Sequence, residues 1–236
     1  DSGSSEGSIG LARALGAAVV ELDLRTPFTA ARARNAGAEW LLRQSTALEF
    51  IQFVDGDCEI AAGWIETAVA RLDAEPQTAV VCGRRRERFA GASIYNRMID
   101  IEWDGPRGIV RACGGDAMFR ASALGDAGGF DPALIAGEEP ELCFRLRERG
   151  WQIRRIEAEM TLHDAALFHF SQWWRRAVRA GHAYAEGAWL HGGSAERYNV
   201  KPVLSILAWA AALPIAVLAT AWPTGGLSLV VLLLYP

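Results

Sequence analysis

The chain has 236 residues, a formal net charge of -4 and 51% hydrophobic composition, enough for one sizeable domain with apolar material to spare. The mild acidity argues against a nucleic-acid binder, which carries a strong basic footprint. Its four cysteines, Cys58, Cys82, Cys113 and Cys143, are widely spaced with no CxxC pair, which argues against a zinc cluster or a dense disulfide framework and fits a reducing compartment.

The sequence opens at Asp1 without a signal peptide and stops inside an apolar run, as a fragment of a longer chain would. Residues 1–7 form a loop of small polar residues. A helix is expected over Ile9–Leu15 and a strand over Ala17–Leu24, the tail of a βαβ unit whose first strand would precede Asp1. Thr29 is placed to cap a helix running to Leu42.

Phe50–Asp57, FIQFVDGD, reads as a buried strand ending in two acids. In an open α/β sheet that is where ligands bind. Asp55 and Asp57 repel each other, and a divalent cation bridging to substrate phosphates relieves the repulsion. The plainer alternative is a solvated Asp-Gly turn.

Trp64, Ala68 and Leu72 recur at helical spacing, and Glu75-Pro76 separates that helix from a strand at Ala79–Gly83. Alternating strands and helices imply a largely parallel sheet. Arg84, Arg85, Arg86 and Arg88 then read as a solvated loop, with phosphate binding as the alternative. Ile109–Arg120 is expected to form two short strands hinged at Gly114-Gly115. Gly137-Glu138-Glu139-Pro140-Glu141 opens a helix that Gly150 closes. Acids suit a helix N-terminus, yet this is a second acidic cluster expected on the same crevice. Trp151–Ile156 reads as a strand, and His163 follows it as either a metal ligand or an ordinary core residue.

Tryptophans and arginines alternate around a helix from Ser171 to Leu190, the pattern of a membrane-interface helix or of one packed on the domain surface. Val203–Trp222 carries no charge over about twenty residues, enough to cross a bilayer, and Leu227–Tyr235 begins another apolar stretch. Arg197 and Lys201 before the span place the upstream domain on the cytoplasmic side of the inner membrane. The expected organisation is a catalytic domain over 1–170, an interfacial helix and linker over 171–200, and a membrane region over 201–236.

The acids at Asp55 and Asp57, the GGDAMFR stretch and the GEEPELCFRLRERGW stretch, in that order, resemble the family 2 glycosyltransferases of the GT-A fold over roughly residues 1–176. The resemblance implies an α/β fold, a mostly parallel sheet flanked by helices, and an inverting enzyme using a nucleotide-diphosphate sugar with Mg2+ or Mn2+. It implies a nucleotide-sugar site of Asp1, Ser2, Glu6, Arg34, Asn35, Asp55, Gly114, Gly115, Asp116 and Arg120. Asp57, with Asp55 and His163, would hold the metal.

Glu139 matches the family's catalytic base, although that position is usually aspartate, and Glu138 is the other candidate. Gln172-Trp173-Trp174-Arg175-Arg176 resembles the QxxRW motif of processive synthases with arginine in place of its final tryptophan. Membrane attachment suggests a polysaccharide, polyprenyl-linked or lipid acceptor. The alternatives are a nucleotidyltransferase-like enzyme and an inactive membrane-anchored binding or scaffold module on the same fold.

Overall fold

The computed structural model describes residues 1–235, which separate into one compact unit over Asp1–Arg179 and a second from Ala180 onward. In the first unit, α1 (Ser8–Ala14) is followed by an extended segment rather than the expected strand at Ala17–Leu24. Asp1 and this segment exchange two backbone bonds, Asp1 N to Val20 O at 2.5 Å and Leu22 N to Asp1 O at 2.8 Å. One bridging residue gives the segment a direction but not a ladder.

Helix α2 (Ala30–Gln44) begins where Thr29 accepts the Arg32 N–H at 3.2 Å, and it buries Ala31 and Ala38. After β1 (Phe50–Phe53) and β2 (Cys58–Ile60), α3 (Trp64–Ala74) buries Trp64, Ala68 and Leu72, one side chain per turn. The Trp64 indole N–H donates to Gln52 Oε1 at 2.8 Å, so this buried ring leaves no polar atom unpaired. Strand β3 (Thr78–Glu87) is longer than expected and carries Arg84, Arg85 and Arg86 within the sheet. Helix α4 (Ile94–Glu102), β4 (Gly108–Val110), β5 (Ala117–Arg120) and α5 (Ala121–Asp126) follow.

Helix α6 (Glu138–Glu148) ends at Gly150, whose φ is +84°. Gly150 N donates to Arg147 O and Trp151 N to Leu146 O, a paired closure that suits glycine. The last strand, β6, runs Gln152–His163.

The sheet order is β1-β5-β3-β6-β2, with β4 also on β6. It is mixed: β3 and β6 are parallel, while β1 with β5, β3 with β5, β2 with β6 and β4 with β6 are antiparallel. The expected parallel order therefore holds only for β3 with β6, because β5 enters between β1 and β3 running the other way. The carboxyl ends of β1, β3 and β6 and the start of β5 consequently meet along one edge. Beneath that edge Phe53, Phe119 and Phe130 pack edge-on with centroids 5.2–6.0 Å apart, each pair contributing about 0.5–1.5 kcal/mol beyond area burial.

Helix α7 (Phe170–His191) starts in this unit. Gln172 Oε1 accepts the N–H groups of Phe168 and His169, Trp173 stacks on Tyr95, and Arg176 forms a forked pair with Glu102 at 2.7 and 2.9 Å. Its first turns thus pack on the domain through α4.

In the second unit Tyr198 lies against Gly187, where an added Cβ would fall 2.7 Å from the ring. Helix α8 (Val200–Leu207), a π-helical stretch (Ala208–Ala212) and α9 (Leu213–Ala221) follow in continuous succession. The 22-residue helix from Val200 to Ala221 contains an 18-residue stretch with a mean hydropathy of 2.2, and the wider π turn precedes Pro214, whose ring would crowd a regular turn. Leu227–Leu234 is a 3₁₀ helix of eight residues, too short at about 2 Å per residue to form a second span by itself.

Candidate active site

Arg34 is the hub of the sheet edge. It reaches Asp55 at 2.6 Å, Glu138 at 2.8 Å and Glu139 at 2.9 Å, with its guanidinium 5.6 Å from the centre of the Phe130 ring. Thus α2 supplies the cation, β1 one acid and the first turn of α6 the other two. Burial pushes the Glu139 carboxyl up to about 7, Arg34 opposes that shift, and Glu138 and Asp55 add to it. The three acids in turn hold the Arg34 guanidinium in its charged form more firmly than usual, against the cost of its burial.

Asp116 is fully buried and fully engaged. Its Oδ1 accepts the Asp55 backbone N–H at 2.9 Å, and its Oδ2 accepts the Thr161 hydroxyl at 2.8 Å and pairs with Arg85 at 2.8 Å. Arg85 also reaches Asp55 at 3.3 Å and lies 5.2 Å from the centre of the Trp103 ring, whose edge meets His163 at 4.8 Å. The expected solvated arginine loop is therefore corrected: Arg84 and Arg85 are buried or nearly so, with partners far away in sequence.

Asp55 spends both carboxylate oxygens on guanidinium groups. Asp57 differs: no arginine or lysine partners its carboxylate among the described residues. Asp57 Oδ2 faces His163 Nε2 at 3.4 Å, and the Cys58 thiol donates to Oδ1 at 3.7 Å. Two acceptor-bearing groups that face one another need a proton or a cation between them, and the exposed Asp57 opens toward solvent. This donor set fits a divalent cation, with Asp57 and His163 as its protein ligands and the remaining positions open to phosphate oxygens.

The remaining expected residues divide into two groups. Gly114 and Gly115 lie against the cluster; a Cβ on Gly115 would stand 2.5 Å from Arg34 Nη2 and 2.7 Å from Asp55 Oδ2. Asn35 has both ends of its amide engaged by Phe130, donating to its carbonyl at 2.7 Å and accepting its N–H at 2.9 Å. It fixes the loop behind Arg34 and leaves Arg34 to face the acids. Asp1 turns its carboxylate on its own loop, accepting from Gly3 N and Ser4 N at 2.8 and 3.1 Å, with Ser2 and Glu6 exposed beside it.

Arg120 does not join the site. It lies at the opposite end of β5 from Asp116, paired with Phe50, and caps α3 by donating to Leu72 O at 2.6 Å and Thr78 O at 3.2 Å. Antiparallel β5 carries it about 13 Å away from Asp116 at the usual strand rise. Sequence reasoning missed Cys58, Trp103 and Thr161, and reached Arg85 only through the phosphate-binding alternative for its run. The only signals were the position of Arg85 just beyond an apolar strand and of Thr161 two residues before His163.

Acids gathered at strand ends, with a cation-accepting pair and a buried carboxylate poised near neutrality, form a candidate active site. Residues 1–125 match the model for glycosyl transferase family 2, and the chain belongs to that family. Pre-mycofactocin glycosyltransferase from two strains of Mycobacterium tuberculosis is 28% identical over 145 residues, covering 57% of this chain. The chain spans 30% of the length of those curated relatives.

Among solved structures, the mannosyltransferase PcManGT from Pyrobaculum calidifontis, in complex with GDP-Man and Mn2+, matches with a TM-score of 0.65 and 21% identity over 99% of this chain and 67% of that one. TarS from S. aureus matches with a TM-score of 0.55 and 14% identity over 88% and 37% of the respective chains. These similarities establish the shared fold.

Proposed function

We propose that the chain is the catalytic part of an inverting, metal-dependent glycosyltransferase that moves a sugar from a nucleotide diphosphate to a membrane-associated polysaccharide, polyprenyl-linked or lipid acceptor. The observation that carries this reading is Arg34 joining Glu138 and Glu139 to Asp55, two residues before Asp57, which faces His163. The GDP-Man and Mn2+ in the PcManGT structure support a nucleotide-sugar donor and a divalent cation of the Mg2+ or Mn2+ kind.

Glu139, with its carboxyl near 7, is the preferred base. It accepts the proton of the acceptor hydroxyl as that oxygen attacks the anomeric carbon from the face opposite the leaving diphosphate, so one displacement inverts the configuration. Glu138 shares Arg34 Nη1 with Glu139 and keeps the pair fixed in direction. A cation at Asp57 and His163, when bound, offsets the charge developing on the diphosphate. The buried Asp116 and Thr161, with Arg85, hold the Asp55 loop.

The apolar helix Val200–Ala221, with little of its surface covered by protein, and the basic Arg197 and Lys201 beside it support anchoring in the inner membrane with the catalytic unit on the cytoplasmic side. Calorimetry of the full-length protein in detergent against UDP-, GDP- and dTDP-sugars, with and without Mn2+, tests the reading. Metal-dependent binding of one donor, lost in Asp57→Ala, is expected. Failure of the folded protein to bind any donor with metal would overturn it in favour of a scaffold module.

A further inference from the structure

We propose that Cys58 is a third protein ligand to the cation at Asp57 and His163, making a carboxylate, imidazole and thiolate site that favours softer divalent metals such as Mn2+ and Co2+ over Mg2+. This rests on the cation reading of the same site. One ligand atom from each of Asp57, Cys58 and His163 lies within 4.8 Å of the others. His163 Nε2 lies 3.4 Å from Asp57 Oδ2, and Cys58 Sγ lies 3.7 Å from the other oxygen, Oδ1. A tetrahedral centre with bonds of about 2.0–2.3 Å separates its ligand atoms by about 3.3–3.8 Å. Both contacts to Asp57 thus fall at ligating separation.

A second observation comes from the far side of the imidazole. Among the described residues His163 Nδ1 is buried with no hydrogen-bond partner, and Glu87 Oε2 lies 3.8 Å away on a carboxylate with no exposed surface. A metal-ligating histidine directs its other nitrogen at such an acceptor. A small inward movement of the ring as Nε2 takes up a cation would close that gap. Glu87 is itself fixed by the N–H groups of Phe89 and Ala165, at 3.0 and 2.9 Å.

Without a metal, burial and the neighbouring Asp116 carboxylate keep the Cys58 thiol protonated, well above its ordinary range. On binding, the S–H bond breaks, the proton leaves to solvent and the sulfur lone pair forms the bond to the metal. Cys58 is partly exposed, whereas Cys82, Cys113 and Cys143 are buried, so solvent ions meet Cys58 first. A soft sulfur beside two harder donors shifts preference away from Mg2+, which demands oxygen ligands.

The test is titration of the full-length protein in detergent with Co2+ alone, read as sulfur-to-cobalt charge-transfer absorption in the near ultraviolet. Cys58→Ser and Asp57→Asn are titrated alongside, and Mn2+ binding with a nucleoside diphosphate is measured by calorimetry on the same preparations. The wild type is expected to show the band. Cys58→Ser, with unchanged near-ultraviolet circular dichroism, is expected to lose the band and bind Co2+ at least about tenfold more weakly, since even outer-shell partners are worth about 10–100-fold.

Co2+ binding that depends on Asp57 but gives no band, or a band that survives Cys58→Ser, overturns the Cys58 assignment and leaves the cation reading standing. Uptake of Mn2+ with nucleotide but not of Co2+ alone has the same meaning. If the wild type takes up neither metal, the cation reading itself falls.

Discussion

Replacing Arg34 with methionine keeps much of the side chain's length and removes its charge from among three carboxylates. Arg34 has 12% of its side chain exposed and lies 2.6–2.9 Å from Asp55, Glu138 and Glu139. Each such pair is worth about 6 kcal/mol of gross attraction at an effective dielectric constant near 20, and desolvation offsets most of it. Removing one partner of a buried pair costs about 3–5 kcal/mol net, because the other charge is left uncompensated.

That loss is expected only where the acids are ionised. Arg34 is the group that holds Glu139 down, so in the variant its folded pKa rises beyond about 7 while the unfolded chain keeps the ordinary value near 4.5. A raised carboxyl pKa contributes stability that is present below the unfolded value and lost as pH rises through the folded one. Urea unfolding in detergent, followed by tryptophan fluorescence, should therefore show a loss of about 3–5 kcal/mol at pH 8.5 and a distinctly smaller one at pH 5. A loss below about 1 kcal/mol at pH 8.5, or an equal loss at both pH values, would refute the hub role of Arg34.

Two further outcomes follow from the same geometry. Glu139→Gln should lower the transfer rate by about 10²–10⁴-fold, and the wild-type rate should rise with pH through about 7 as Glu139 deprotonates; a variant keeping more than about a tenth of the rate removes Glu139 as base. Gly115→Ala places a methyl 2.5 Å from Arg34 Nη2 and 2.7–2.8 Å from the Asp55 oxygens, and should cost about 1–3 kcal/mol and weaken donor binding in calorimetry. Gly56→Ala, whose methyl would meet nothing within 4 Å, is the control, and equal behaviour of the two would show that the close approach at Gly115 carries no weight.

Local signals in the sequence were enough for α2, α3 and α6. The Thr29 cap, the one-per-turn burial of Trp64, Ala68 and Leu72, and the left-handed Gly150 are all decided within a few residues. That the acids opening α6 share a crevice with Asp55 was expected from the sequence, but the Arg34 bridge between them was not, because contacts separated by about a hundred positions leave no local trace. Strand direction was the principal casualty. Nothing in Ala117–Arg120 says that it runs against β1 and β3, and on that depends whether Arg120 faces the site or turns away from it. The arginine run was misread for a related reason: its neutralising acids, Asp55, Asp116, Asp100 and Glu159, come from three other parts of the chain and from β6.

That run sits where β3 slips register against β6, between Cys82 and Arg84 and again between Arg84 and Arg85. The slips let three consecutive arginines serve three different places: Arg84 with Asp100 inside, Arg85 with Asp55 and Asp116 at the site, Arg86 with Glu159 on the surface. Identical side chains here are not interchangeable copies. A composition-preserving shuffle of this stretch would be silent, whereas inserting or deleting a single residue would reassign all three partnerships at once. Among related chains, alignment gaps should therefore be scarcer at this point than substitutions of the outermost arginine.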